Sequence, residues 1–290
     1  MLLSATSEHL FAQKPVPVLE SIFPAGGQAG QSVDVTISGE ELEGATGLVF
    51  STEEYGFTID TEAIPSTISP ENPNQFRVTI PENAKTGRYG VHVRCARGLS
   101  SPRGFVVGTK PEVIESGVHS MKDRAMQISV DTTINGRAEE SASDFYKIDL
   151  EAGDTIRIRC HSEALVSRLS ASLTIFGPDG TEIDRDRDNS DRDAMVACTA
   201  SSPGSYFIQV SDFTFRGGPA YTYRLEVAKG PQILFAYPPA GEVGKMTTHL
   251  LYGRNLPGSD PSRRIHLGGR LVDVVEAQIS IDSLGTFESS

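Results

Sequence analysis

The sequence has no tryptophan, few cysteines and no long apolar run. Its 290 residues include three Cys, at Cys95, Cys160 and Cys198. These are too few and too far apart for a disulfide framework or a zinc site. A bridge between Cys160 and Cys198 stays an open alternative, because the sequence does not supply the geometry that a bridge needs. No apolar run is long enough to predict a membrane-spanning helix.

Basic residues are also in deficit. Lys and Arg number 26 against 38 Asp and Glu, which gives a net charge of -12 and a pI near 5.0. Such a surface repels phosphate backbones, so the composition excludes nucleic acid as a partner. The charge suits a dispersed extracytoplasmic protein, which would be secreted, periplasmic or on the cell surface. Cations are the partners that this charge would favour.

Motifs of common enzyme sites are missing too. The six His are scattered, and the chain has no Gly-x-Ser-x-Gly elbow, His-Glu-x-x-His helix or phosphate-binding loop. A nucleophile with its base is therefore not indicated, and we predict that the protein is not an enzyme.

Gly and Pro are abundant, at 28 and 17 residues, which is typical of many short strands and turns. The clearest pattern lies in residues 204–227, where apolar and polar positions alternate in two runs around Arg216-Gly217-Gly218-Pro219. The alternating positions are Tyr206, Ile208 and Val210 in the first run, and Tyr221, Tyr223, Leu225 and Val227 in the second. A period of two predicts half-buried strands, and we expect these two to form an antiparallel hairpin in a β-sandwich.

The strand and turn signals divide the chain into an all-β series of tandem β-sandwiches. We assign residues 1–14 to a leader remnant or a disordered terminus, 15–108 to an immunoglobulin-like sandwich, and 109–133 to a linker. A second sandwich covers 134–228, and 229–290 form a partial copy of the first. The copy is indicated by residues 231–241, which repeat the pattern of residues 17–27.

Two late strands share a second pattern. Residues 87–93 and 204–210 both read Gly-x-Tyr-x-aliphatic-x-Val. A Tyr that enters a late strand after a Gly turn is typical of a tyrosine corner, in which the hydroxyl bonds to nearby backbone. We therefore predict structural roles for Tyr89 and Tyr206.

Residues 144–156, 173–180 and 204–212 resemble, in that order, the bacterial pre-peptidase C-terminal domain. The resemblance covers about residues 134–228 and implies a jelly-roll-like β-sandwich of the kind found beside secreted peptidases. Some members of that family bind calcium, and some bind collagen or other polymers. The flanking units resemble immunoglobulin-like TIG/IPT modules. Calcium-binding relatives carry an acidic Glu-Pro-Asn-type segment before the domain, whereas residues 114–119 here read Ile-Glu-Ser-Gly-Val-His.

An acidic run between residues 184 and 193 is a candidate calcium site. Its carboxylates are Asp184, Asp186, Asp188, Asp191 and Asp193, with Asp186, Asp188 and Asp191 as the best ligands. Calcium takes several oxygen ligands from a flexible loop. The alternative is a solvated hairpin loop in which interleaved arginines neutralise the carboxylates, because positive neighbours oppose metal binding.

Phe213, Phe215 and Arg216 are a candidate ligand-binding surface. Aromatic residues with an Arg on a sandwich loop can form a recognition surface. The alternative is that both Phe side chains pack beneath the loop or against a neighbouring module.

These observations predict a non-catalytic extracytoplasmic binding or spacer module. It would present loops to an extracellular polymer, a protein or a cell-surface partner. The alternative is a calcium-dependent adhesion or substrate-targeting module that accompanies a secreted peptidase or other hydrolase.

Overall fold

The computed structural model describes residues 15–52, 58–60, 64, 66–69, 71–188, 193–267 and 270–280. Within these ranges the regular structure consists of β-strands and three short 3₁₀ turns, so the all-β prediction is confirmed. No helix in the described part of the chain has the length and apolar character needed to span a bilayer. The chain divides into two compact units, Met1–Gly108 and Thr109–Ser290.

The first unit is a β-sandwich. Its strands are β1 (Val18–Phe23), β2 (Gly26–Gln28), β3 (Ser32–Glu40), β4 (Gly47–Thr52), β5 (Thr58–Asp60), β6 (Ser66–Ile68), β7 (Gln75–Thr79), β8 (Gly87–Cys95), β9 (Gly98–Leu99) and β10 (Arg103–Gly108). One sheet has the order β1-β3-β7-β6 and the other β2-β10-β8-β4-β5, with β9 on β8. Leu19, Val35 and Phe76 of the first sheet and Val91 and Phe105 of the second are fully buried, as facing layers require.

The second unit begins with another sandwich. Its strands are β11 (Glu112–Ile114), β12 (Met126–Gln127), β13 (Thr132–Arg137), β14 (Asp144–Leu150), β15 (Thr155–His161), β16 (Ala171–Phe176), β17 (Glu182–Arg187), β18 (Ala194–Thr199), β19 (Gly204–Asp212) and β20 (Thr222–Lys229). We call the sheet β11-β13-β20-β15-β18 the first layer and the sheet β12-β14-β19-β16-β17 the second layer. A single apolar cluster fills the space between the two layers.

The predicted hairpin between β19 and β20 is wrong, although both strands are present. β19 pairs with β14 and β16 in the second layer, whereas β20 pairs with β13 and β15 in the first. Tyr206 and Tyr223 are buried in the core between them. Alternation predicts the buried face of a strand but does not name its partner, and the connection is long enough to cross between layers.

The predicted linker over residues 109–133 is also corrected. β11 pairs in parallel with β13, and β12 pairs in parallel with β14, so this segment supplies one of the two edge strands of each layer. Strands of three and two residues are too short to show a period of two, so the sequence pattern does not assign them to a sheet.

A third sheet follows within the second unit. It consists of β21 (Gln232–Tyr237), β22 (Met246–Arg254), β23 (Ile265–Leu267) and β24 (Arg270–Ser280), in the order β21-β22-β24-β23. At Gly39 of β3 and Gly253 of β22, an added Cβ would overlap a carbonyl oxygen of the paired strand, which is β1 and β21 respectively. Two residues later, Glu41 and Asn255 both adopt left-handed backbone, with φ of 56° and 55°. These shared constraints support the internal repeat.

Both tyrosine corners are confirmed. The Tyr89 hydroxyl donates to the carbonyl oxygen of Lys85 over 2.8 Å, and the Tyr206 hydroxyl donates to that of Ser202 over 2.9 Å. Each bond therefore ties a buried ring to the turn four residues before it.

The three cysteines are free and buried. Cys198 of β18 lies opposite Ile156 of β15, four residues along the strand from Cys160. That separation is about 13 Å, whereas a disulfide needs Cα atoms within about 7 Å. Burial raises the pKa of the Cys198 thiol to about 11 and that of Cys160 well above its ordinary value. The thiols therefore serve as apolar core groups.

Candidate binding face and buried polar cluster

The acidic run begins in a strand, because residues 182–187 form β17. Asp184 and Asp186 reach across to β18, the edge strand of the first layer. The Met195 backbone nitrogen donates to Asp186 Oδ2 over 3.0 Å, and the Ala197 nitrogen donates to Asp184 Oδ2 over 3.1 Å. Two carboxylates thus satisfy amide groups that an edge strand would otherwise leave unpaired.

Asp188 and Asp193 are buried near the segment that connects β15 with β16. Asp188 accepts hydrogen bonds from the Ser162 hydroxyl, the Ser170 hydroxyl and the Ala171 backbone nitrogen. Asp193 accepts from the Ser162 nitrogen and forms an ion pair with His161. These two carboxylates hold the end of the sandwich together.

Calcium binding by this run stays a prediction. Asp191 lies outside the described residues. The other four carboxylates accept hydrogen bonds from protein donors, and Asp184 also forms an ion pair with Arg254 of β22 over 2.6 Å. Donors that already occupy these oxygens would have to be displaced before calcium could take six or more oxygen ligands.

The arginines of β17 point to the opposite side of the strand. Arg185 forms an exposed ion pair with Glu182. The Arg187 guanidinium lies over the Phe213 ring, with its central carbon 4.2 Å from the ring centroid. Arg187 is exposed, and no ion pair of Arg187 with a described residue is found.

Arg187, Phe213 and Phe215 line a surface pocket of about 260 Å³ on the second layer. Phe213 and Phe215 are 50% and 55% exposed, so they do not pack beneath the loop, and their packing against a neighbouring module stays the open part of that alternative. The floor is polar and consists of Ser172, Thr174, Gln209 and Ser211 from β16 and β19.

Asp212 fixes the loop that carries the two rings. Its Oδ1 accepts hydrogen bonds from the backbone nitrogens of Thr214 and Arg216. Phe215 has left-handed backbone with φ of 57°, and its nitrogen donates to the Asp212 carbonyl over 3.0 Å. The rings are therefore presented by a hydrogen-bonded turn.

A second polar feature, which we call the buried cluster, consists of Glu115, His119, Asp144, Tyr146 and Tyr223. The Tyr223 hydroxyl donates to Asp144 Oδ2 over 2.7 Å and lies 2.5 Å from the Tyr146 hydroxyl. The Tyr146 hydroxyl donates to Glu115 Oε2 over 3.2 Å. His119 Nε2 lies 3.4 Å from Glu115 Oε2 and 3.6 Å from Asp144 Oδ1.

Burial dominates the electrostatics of this cluster. It raises the pKa of Asp144 to about 6 and raises the pKa values of Tyr146 and Tyr223 well above the ordinary value. The neighbouring Glu115 carboxylate raises the pKa of His119, and burial opposes that effect. Of the described residues, Glu115, His119 and Asp144 are the one set of His, Cys, Asp or Glu side chains placed to hold a metal ion together.

Comparison with known proteins identifies the domains. Residues 142–212 match the family model of the bacterial pre-peptidase C-terminal domain, and residues 17–106 match that of the IPT/TIG domain. The chain carries both predicted domains. No curated protein matches the sequence. Both matched families are non-catalytic modules.

Solved structures similar to the chain include the pre-peptidase C-terminal domain of a Bacillus anthracis collagenase. That match has 21% identity and a TM-score of 0.30, and it covers 36% of this chain and 93% of the other. The Aeromonas hydrophila periplasmic inhibitor of g-type lysozyme has 17% identity and a TM-score of 0.29, covering 41% and 99%. A Bacteroides ovatus SGBP-B in complex with a mixed-linkage heptasaccharide has 10% identity and a TM-score of 0.24, covering 69% and 74%.

The sequence located only part of the pocket on the pre-peptidase C-terminal domain. Phe213 and Phe215 line it, but Arg216 is exposed beside it and is not among the lining residues. Arg185 and Arg187 also line the pocket but were not among the predicted residues, because they appeared only as neutralising partners of the aspartates. The alternation of Asp and Arg in residues 184–187 was the available signal, since a strand sends the two types to opposite sides.

The outer face of the domain continues beyond the pocket with a cation over aromatic rings. Phe207 of β19 lies opposite Lys147 of β14 and Phe176 of β16. The Lys122 ammonium lies 4.4 Å from the Phe207 ring centroid and 5.7 Å from that of Phe176. We call this surface, from β14 to β17 with its pocket, the aromatic–basic face.

Proposed function

We propose that the pre-peptidase C-terminal domain is a non-catalytic binding domain of an extracytoplasmic protein, and that its aromatic–basic face binds an acidic polysaccharide. The observation that carries this proposal is the Arg187 guanidinium stacked on the exposed Phe213 ring at a polar pocket. Its planar donors suit a carboxylate or sulfate group.

The charge distribution supports an anionic ligand. The chain has a net charge of -12, yet the face presents Arg187, Lys122 and Lys147, besides Arg185, whose charge is paired with Glu182. A local basic surface on an acidic protein attracts anions and repels the same surface of other copies.

The chemistry of the pocket floor supports a sugar polymer. Hydroxyl and amide groups of Ser172, Thr174, Gln209 and Ser211 line it beside the exposed rings of Phe213 and Phe215. Such groups both donate and accept hydrogen bonds, as a hydroxyl-rich ligand requires. The exposed rings add apolar contact area at a small entropic cost.

Affinity electrophoresis and calorimetry of the whole chain test the proposal. The probes are polygalacturonate and alginate, the fully methyl-esterified form of polygalacturonate, and poly-glutamate as an acidic peptide. We expect the acidic polysaccharides to bind. We expect esterification to remove binding, because it removes the charge that Arg187 recognises, and added salt to weaken it.

Matched substitutions locate the site. Arg187→Ala removes a charge-assisted contact, so we expect affinity to fall about tenfold or more. Arg216→Ala removes the same charge from an exposed position outside the pocket and serves as the control, with little change expected. Phe213→Ala is compared with Tyr237→Ala, an exposed aromatic residue of β21.

Three results would contradict the proposal: no retention on any acidic polysaccharide, equal retention on the esterified polymer, or equal affinity of Arg187→Ala and Arg216→Ala. Preferential binding of poly-glutamate would instead indicate a protein partner.

A further inference from the structure

His119 has a buried ring nitrogen inside the buried cluster that makes no hydrogen bond to a described residue. The side chain is 7% exposed, and its Nδ1 donates to the Gly117 carbonyl over 3.1 Å. This hydrogen bond leaves Nε2 directed at the carboxylates of Glu115 and Asp144. Among the residues that the structure describes, no hydrogen-bond partner is found for the buried Nε2. A buried ring nitrogen that faces two carboxylates requires a positive charge at that place, which either a proton on the ring or a metal ion between the three atoms supplies.

The spacing of the three atoms suits a metal ion. A tetrahedral ion with bonds of about 2.0–2.1 Å holds its ligand atoms about 3.3–3.4 Å apart. Nε2 lies 3.4 Å from Glu115 Oε2 and 3.6 Å from Asp144 Oδ1. The three ligand atoms lie within 4.8 Å of one another. Small side-chain movements would therefore bring all three to bonding distance.

The surrounding hydrogen bonds match those of a metal centre. A metal-binding imidazole usually donates its other N–H to a carbonyl or carboxylate, as His119 does to Gly117. The hydroxyls of Tyr146 and Tyr223 hold Glu115 and Asp144 in place. Hydrogen bonds from the protein thus orient all three side chains, whereas solvent-exposed acidic groups would have no such partners.

Calcium fits this site poorly. Calcium takes six to eight oxygen ligands, whereas the cluster offers one nitrogen and two carboxylate oxygens, with the second oxygen of Asp144 already bonded to Tyr223. One nitrogen with two carboxylates is a donor set typical of zinc and similar ions.

We propose that Glu115 Oε2, His119 Nε2 and Asp144 Oδ1 bind one divalent metal ion of the zinc class, with water as the fourth ligand. Glu115 and His119 lie in the segment between β11 and β12, and Asp144 begins β14. The ion therefore links the segment that leads into the domain to the second layer. This site is separate from the aromatic–basic face and does not rest on the function proposed for it.

Calorimetry and thermal melting of the chelator-treated whole chain test the site, with Zn²⁺, Co²⁺ and Ca²⁺ as separate probes. We expect one equivalent of Zn²⁺ to bind and raise the melting temperature. Co²⁺ is expected to give the visible absorption of a four-coordinate ion with nitrogen and oxygen ligands. Ca²⁺ is expected to be much weaker, because the site lacks oxygen ligands.

His119→Gln removes the nitrogen ligand, and we expect it to abolish the cobalt spectrum and lower zinc affinity about a hundredfold or more. Glu115→Gln is the second variant, should His119→Gln fail to fold. His161→Gln is the control, because His161 also contacts two carboxylates, Asp193 and Glu226, but through different ring nitrogens. It is expected to keep the cobalt spectrum.

The proposal is overturned if neither Zn²⁺ nor Co²⁺ binds at one equivalent. It is equally overturned if folded His119→Gln or Glu115→Gln binds as the unaltered chain does, or if Ca²⁺ binds more tightly than Zn²⁺.

Discussion

Asp186 Oδ2 accepts a hydrogen bond from the backbone nitrogen of Met195 over 3.0 Å, which joins two strands of different sheets. β17 is the last strand of the second layer and β18 the last strand of the first. Open edges invite pairing with other chains. The carboxylates of β17 therefore close this side of the sandwich without a continuous backbone ladder.

Removing this carboxylate tests its role in closing the sandwich. We expect Asp186→Ala to lower the free energy of unfolding by about 1–3 kcal/mol, since it leaves the amide of Met195 without its acceptor. Asp186→Asn keeps an acceptor oxygen at the same place and is expected to cost less. Urea unfolding followed by circular dichroism measures both. Equal loss in the two variants would show that charge, rather than the hydrogen bond, is the stabilising feature.

The tyrosine corner of the middle sandwich gives a second prediction. Tyr206→Phe removes only the bond to the Ser202 carbonyl and keeps the buried ring, so we expect a loss of about 0.5–1.5 kcal/mol. Tyr221→Phe is the control, because its hydroxyl has no hydrogen bond to a described residue. Chemical denaturation compares the two, and an equal loss would refute the assigned role of the Tyr206 hydroxyl.

The carboxylates around His161 predict a loss of stability in acid. Burial alone would raise the pKa of Asp193, but hydrogen bonding and charge from His161, with Arg159 nearby, hold it well below its ordinary value of 3.8. The hydrogen bond from His161, aided by Lys110, likewise lowers the pKa of Glu226 below 4.5.

Because both folded-state pKa values are depressed, the stabilisation is complete above the unfolded values and declines as the pH falls below about 4–4.5. We expect Asp193→Asn to flatten this part of the stability profile, measured by melting between pH 2 and pH 7. An unchanged slope would show that other groups govern the acid response.

A calcium titration separates the predicted binding module from its calcium-dependent alternative. We expect millimolar Ca²⁺ to produce neither heat nor a melting shift. The carboxylates of Asp184, Asp186, Asp188 and Asp193 already accept hydrogen bonds from the protein. A shift that is lost in Asp188→Asn but kept in Glu115→Gln would favour the alternative and assign the ion to the acidic run.

Local patterns were predicted well from the sequence. The bond from Tyr206 to Ser202 spans four residues, so a short motif contains both partners. The burial of alternate residues in β19 also follows from a period of two. The pairing of these strands could not be predicted from the sequence. β19 and β20 each pair with strands that lie farther away in sequence than β19 and β20 lie from each other.

In the candidate sites, too, local features could be predicted from the sequence and long-range contacts could not. Phe213 and Phe215 could be predicted as candidates because an aromatic pair on a loop is a local sequence pattern. Arg187 was placed beside them by the pairing of β17 with β16, a long-range relation. The buried cluster joins Glu115 to Tyr223, which are 108 positions apart, and no local pattern indicates that they meet.

Because Asp and Arg alternate in β17, the number of residues in this strand affects both the hydrogen bonds to β18 and the basic side chains at the pocket. Deleting one residue from Glu182–Arg187 would turn the following side chains over. Arginines would then face the backbone amide donors of β18, and aspartates would face the pocket in which we propose that an anion binds. Closure of the fold and the proposed binding of an anionic ligand would both be lost, so we expect natural variation in this strand to proceed by substitution and to keep its number of residues.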